Sequence, residues 1–376
     1  MSDDQGGAAG PLARAPDRTG IARRAGVELA WSGYGSDGPD VVLLPTWSIV
    51  DSRFWKAQLG YLARHFRVLR FDGRGTGRSG RPISATKYTD AEFAADTVAV
   101  MDAAGVERAV LVGYSAGVPW ALHVAAEHPD RVAGVFAVGP AVALVRFRPG
   151  GAATWQQPEP GPDGWPTYNR SFWRAGGFDT FRADFFARLF SDPHSSRPIE
   201  DFLDWSDQTD PETLIAANDG RLGLEGAVRE PIEAVVARVR CPVAVLHGTA
   251  DQINPYAVGE ELARLTRGSL LSVPGAGHGP LARYPVLVNR EIRRFAEQVS
   301  PARAARRPGR RRPRVDPGCC TSPRRSGSGT RGVTWRSLPS CVGCVLVCRS
   351  NGWRSRPSPG CWPIAARPST RRRSTC

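Results

Sequence analysis

The sequence predicts an α/β protein built on a doubly wound, mostly parallel sheet with a helical insertion. Two observations carry this. Strand-sized apolar runs alternate with helix-spaced segments between residues 27 and 298, the rhythm of a sheet covered on both faces. That rhythm breaks once, over residues 142–225, which lack a strong strand signal and are rich in Trp, Phe and Pro.

Residues 1–24 mix Gly, Ala, Pro and Arg without a period and are expected to be flexible. From Val27, VELAWSGYG, SDGPD and VVLLP (41–45) read as strand, turn and buried strand. Residues 53–64 have helical spacing, with Phe54, Leu59 and Leu62 on one face. The short strand RVLRFD (67–72) runs into the Gly-rich loop DGRGTGRSGRP. A helix is expected from about Asp90 to Ala104, capped by Thr89. Strand 109–113, helix 116–127 and strand 132–138 follow, then strand 242–247, helix 256–266, strand 269–273 and a last helix over 285–298. The aromatics of 142–225 fit an ordinary small core. An insertion at that point also suits a roof over the carboxyl ends of the strands, where open α/β sheets bind ligands.

Charge divides the chain at residue 300. The net charge of +14 arises from residues 301–376, which hold 18 Arg and one acid, Asp316, whereas residues 1–300 carry a net −3. Seven of the eight cysteines also lie after 300, and only Cys241 lies before it. One cysteine in 300 residues excludes a disulfide framework and suits a reducing compartment. No basic-then-apolar leader and no apolar run of about 20 residues is present. A soluble cytoplasmic protein is therefore expected, with no membrane and no nucleic-acid partner.

The sharpest local signal is Gly113-Tyr114-Ser115-Ala116-Gly117, between an apolar strand and a helix. A serine nucleophile must project from a tight strand-to-helix turn, and small residues two before and two after let the backbone approach itself. The helix N-terminus then offers N–H groups to a developing oxyanion. The alternative is an unreactive turn serine. A reactive serine needs a base. His65, His123 and His128 fall on helices, and His194 falls in the insertion. His278, in PGAGHGP, follows a strand end and precedes the last helix, whereas His247 reads as a structural neighbour of an acid in HGTAD. That acid is Asp251, four residues past its strand; the slot after strand 132–138 reads Gly-Pro-Ala and offers none. Taken alone, Asp251 is equally a turn-capping residue. The order Ser115, Asp251, His278 requires three strand-end positions to coincide.

Over residues 25–299, GYSAG, DGRGTGRS, HGTAD and PGAGH together resemble the α/β-hydrolase superfamily. The resemblance implies an eight-stranded sheet, residues 142–225 as a cap, and Ser115, His278 and Asp251 as a triad. It also implies an oxyanion pair from the backbone N–H groups of Ala116 and Trp47, although Pro45-Thr46 stands where the family usually has His-Gly. Ser115 disfavours the carbon–halogen and epoxide chemistry of relatives that carry a carboxylate there. The expected activity is hydrolysis of a small, apolar carboxylic ester without metal or cofactor, with Tyr114, Trp120 and Trp173 as pocket candidates beside plain core packing. Carbon–carbon bond hydrolysis, cofactor-free perhydrolysis and a non-catalytic ligand-sensing or regulatory role are the alternatives.

Residues 300–376 are expected to form a disordered tail; an out-of-frame read-through of a GC-rich gene gives the same Arg, Pro, Gly and Cys bias. Cys341, Cys344 and Cys348 raise the question of zinc, but no histidine lies in this segment and the spacing is not that of two ligand pairs.

Overall fold

Continuous runs of Val, Leu and Ala are strands that can be buried on both faces, and they occupy the centre of the sheet. The computed structural model describes residues 14–145, 152–157 and 165–300. Of the two compact units into which the chain divides, Met1–Arg310 holds all of these, and Arg311–Cys376 lies outside the described residues. The expectations for the tail and its cysteines therefore fall outside them as well.

Eight strands form one sheet: β1 (Arg18–Arg24), β2 (Val27–Tyr34), β3 (Asp40–Leu43), β4 (Arg67–Phe71), β5 (Ala109–Tyr114), β6 (Val132–Val138), β7 (Val243–Gly248) and β8 (Ser269–Val273). Their order is β1-β2-β4-β3-β5-β6-β7-β8. β1/β2 and β2/β4 pair antiparallel and every other pair is parallel. β3, β5, β6 and β7 are buried throughout, whereas the edge strand β8 is buried only at Val273.

The helices are α1 (Lys56–Leu62), α2 (Asp90–Ala103), α3 (Gly117–Glu127), α4 (Ala152–Gln156), α5 (Arg170–Phe172), α6 (Phe178–Leu189), α7 (Ser196–Ser206), α8 (Pro211–Leu222), α9 (Ile232–Arg238), α10 (Tyr256–Thr266), α11 (Pro280–Arg283) and α12 (Pro285–Val299). Thr89 caps α2 by accepting from the Glu92 N–H. α3 and α12 both pack on β5 and β6, one from each face; α2 joins α3, and α1 joins α12. None of the described helices is long and apolar enough to cross a membrane.

The patternless segment expected over 1–24 does not extend through Arg18–Arg24, which is β1. Its sequence, RTGIARR, escapes a hydrophobic-run criterion because an edge strand is held by other means. Gly20 leaves room for the Trp31 ring across the ladder. Arg24 binds Asp96 at 2.7 Å and Glu92 at 2.5 Å on α2.

α4 to α9 lie between β6 and β7. Their aromatics gather around Trp47, on the loop after β3: Phe185 lies 5.3 Å away, and Tyr168 and Phe181 each 6.0 Å, between ring centroids. Beneath that loop, the DGRGTGRS segment is fixed by Arg74, fully buried, whose guanidinium forks onto Asp96 with two 2.6 Å bonds.

Candidate active site

β5 ends and α3 begins within three residues, so the chain must reverse at Ser115. It does so with φ +51°, a left-handed conformation that is strained for a residue with a Cβ. The flanking glycines answer to this turn. A Cβ at Gly113 would stand 2.7 Å from the Gly117 carbonyl oxygen, and one at Gly117 would collide with the Pro45 carbonyl oxygen. The Ser115 N–H is held by the Val138 carbonyl at 2.9 Å, which ties the turn to β6.

His278 comes from the loop between β8 and α11 and is 1% exposed. Its Nε2 lies 3.0 Å from Ser115 Oγ, and its Nδ1 lies 2.7 Å from Asp251 Oδ2. Facing a carboxylate, Nδ1 carries the proton and donates it; Nε2 is left to accept from the Ser115 hydroxyl. Gly139 at φ +50° passes close under the imidazole, where a Cβ would meet the ring at 3.2 Å.

Asp251 fulfils both readings of its sequence position. Its Oδ1 accepts from the N–H groups of Ile253 at 2.8 Å and Asn254 at 2.9 Å, the turn-capping role. Its Oδ2 faces two imidazoles, His278 and, at 3.0 Å, Nε2 of His247. His247 Nε2 also faces the Asn254 carbonyl at 3.1 Å. Both partners accept, so Nε2 is the protonated nitrogen of His247. Burial opposes the charge of Asp251, but the pull of His278 and the hydrogen bonds from both histidines outweigh it. They hold the carboxyl well below the usual carboxylate range.

Ser115 and His278 open onto a cavity of about 70 Å³. Its walls include Thr46, Trp47, Tyr114, Trp165 and Phe185, with Arg221 and Asn254 as polar members. Ala116 and Trp47, both buried, also line it, and among the described residues neither backbone N–H donates to a protein acceptor. Paired N–H groups are the rule in protein interiors, and these two are exceptions to it.

Of the three pocket candidates, Tyr114 lines the cavity, its ring 5.1 Å from that of His278. Burial pushes its phenol well above the usual value. Trp120 and Trp173 do not line it. Trp120 stacks on Phe93 at 3.8 Å and donates to Asp90 Oδ1 at 2.9 Å. Trp173 donates to the Thr167 carbonyl at 2.8 Å and packs on Phe181 at 4.3 Å. Both are core side chains, the reading that residue type alone could not separate from a pocket wall.

Two contributors carried no signal in the sequence. Asp192, after α6, accepts from the Gly277 N–H and from the Tyr284 hydroxyl, each at 3.0 Å, and so clamps the insertion onto the loop carrying His278. Arg221 is spaced like any surface arginine of a helix. Among the described residues, one group of possible metal donors exists, His123, Glu127 and Glu230. It shares no residue with the cavity, and Glu230 is bound to Arg238.

A family model described as alpha/beta hydrolase fold matches residues 41–282. A Caulobacter protein (strain K31) named as the carbamate hydrolase RutD is 29% identical over 267 residues, 64% of this chain and 85% of its own. The bifunctional esterase/perhydrolase of Acinetobacter calcoaceticus is 28% identical over 298 residues, 73% of this chain and 98% of its own. Among solved structures, the enol-lactonase of Burkholderia xenovorans LB400 superposes with a TM-score of 0.62 at 25% identity, covering 73% of this chain and 99% of that one.

Proposed function

The chain belongs to the α/β-hydrolase family, and from that premise we propose that it is a serine carboxylic-ester hydrolase working through an acyl-enzyme on Ser115. The observation that carries the reading is the continuous path Ser115 Oγ, His278 Nε2, His278 Nδ1, Asp251 Oδ2, with contacts of 3.0 and 2.7 Å.

In this mechanism Ser115 Oγ attacks the ester carbonyl as His278 Nε2 takes its proton. Asp251 holds the imidazole in the Nδ1–H tautomer and stabilises the imidazolium. The N–H groups of Ala116 and Trp47 receive the oxyanion. His278 then gives the proton to the departing alkoxide. Water attacks the acyl-enzyme by the reverse proton route and frees the acid. Helices α5 to α8 act as a cap over the serine, and the small cavity favours short acyl chains.

Perhydrolysis is the second reading, favoured by the name of the Acinetobacter relative. Hydrogen peroxide replaces water at the acyl-enzyme and releases a peracid, with the same residues in the same roles. For either reaction, Ser115→Ala lowers kcat on p-nitrophenyl acetate by roughly 10⁴-fold or more while the fold persists. A folded variant with near-full activity overturns the assignment.

A further inference from the structure

Arg221 sits in the last turn of α8 and lines the cavity that holds Ser115 and His278. Its guanidinium carbon lies 6.0 Å from the ring centroid of Trp47, and among the described residues it makes no hydrogen bond and no ion pair. The nearest acids on its own helix and just beyond are taken. Asp219 accepts from Trp155 Nε1 at 2.6 Å and pairs with Arg170 at 3.3 Å; Glu225 pairs with Arg170 at 2.8 Å. The other described arginines without such partners, Arg64, Arg108, Arg229, Arg240, Arg267 and Arg290, are exposed and solvated. Arg221 alone among them is half-buried.

A cation at a helix C-terminus is favoured by the helix dipole, which accounts for its tolerance there but not for its place in the wall of a largely aromatic and aliphatic cavity. Its five N–H donors have no protein acceptor among the described residues, and its planar fork matches a carboxylate. We propose that Arg221 selects substrates bearing a carboxylate at the end of the acyl chain away from the scissile ester, so that the preferred substrates are monoesters of short dicarboxylic acids. The proposal rests on the serine-hydrolase reading for turnover, and on cavity geometry alone for binding.

The test compares monomethyl glutarate with methyl pentanoate, its uncharged counterpart of equal length, together with calorimetric binding of glutarate to the full chain. The wild type hydrolyses the monoester with kcat/KM roughly 10- to 100-fold above that for the neutral ester, the range expected of a charge-assisted contact. Arg221→Gln collapses that ratio towards one, chiefly through KM, and abolishes glutarate binding; Arg221→Lys restores part of both. A purely structural role lowers both esters alike and leaves the ratio intact, which overturns the proposal, as does a wild type that favours neither ester. Glutarate binding that depends on Arg221, without turnover of either ester, upholds Arg221 and overturns the serine reading instead.

Discussion

Replacing Asp251 by Asn changes one atom and should disable the site. In the wild type four donors converge on this carboxylate, two backbone N–H groups on Oδ1 and two imidazoles on Oδ2. An amide keeps only one acceptor oxygen. The backbone N–H groups cannot turn away, so the oxygen faces them and the NH₂ faces His278. His278 must then present an unprotonated Nδ1, which moves its proton to Nε2, 3.0 Å from Ser115 Oγ. An imidazole that already carries the proton there cannot accept one from the serine. The expected loss in kcat is about 10⁴-fold, or about 5.5 kcal/mol of transition-state stabilisation. The His247 Nε2–H, left facing an amide donor, also costs stability, about 1–3 kcal/mol at neutral pH. Because folding lowers the pKa of Asp251, its ionised form stabilises the native state fully above about pH 4, the unfolded range. That contribution is lost as pH falls through the folded value. The stability gap between wild type and Asp251→Asn is therefore widest at neutral pH and closes in acid. Steady-state hydrolysis of p-nitrophenyl acetate and urea melts from pH 3 to 8 measure both effects. A folded variant losing less than about 10-fold in kcat refutes the tautomer argument.

Three further outcomes follow from neighbouring contacts. His247→Leu removes the second imidazole donor from Asp251 Oδ2; kcat should drop by about 10-fold with KM little changed, since the residue orients the acid and does not line the cavity. Asp192→Ala strands the buried Gly277 N–H and frees the Tyr284 hydroxyl; thermal unfolding should report a loss of about 1–3 kcal/mol, with a fall in kcat as the His278 loop loosens. Gly117→Ala sets a methyl group against the Pro45 carbonyl, so the oxyanion loop must shift. Activity should fall by more than stability, as paired calorimetry and kinetics would show.

The candidate residues were legible from position: Ser115 and Asp251 follow strands buried throughout, which write unbroken apolar runs, and His278 follows the edge strand β8 in a Gly-rich loop. Val132–Val138 was bounded to the residue for the same reason, and the bounds of the largely unburied edge strand Ser269–Val273 matched as well. Helix starts were legible where a side chain caps them, as Thr89 does. β1 was not, because it is held by a Gly–Trp fit and by Arg24 bound to α2, contacts that leave no periodic trace in RTGIARR. Trp120 and Trp173 show a different limit: aromatic identity says that a ring is buried, and only its neighbours say whether it faces core or cavity. The Asp192 clamp joins segments 85 residues apart, and no local pattern encodes such a pairing. With Pro45-Thr46 in place of the His-Gly usual in the family, Trp47 and Ala116 still line one cavity, each with an N–H that meets no protein acceptor among the described residues.

The central claim is that Ser115 is a nucleophile. Incubating the full chain with a fluorophosphonate and mapping the adduct by peptide mass spectrometry tests it most directly. One phosphonyl group per chain, on the peptide containing Ser115 and absent from Ser115→Ala, is the predicted result. A folded protein that takes up no label, or takes it up at another residue with Ser115 unmodified, contradicts it.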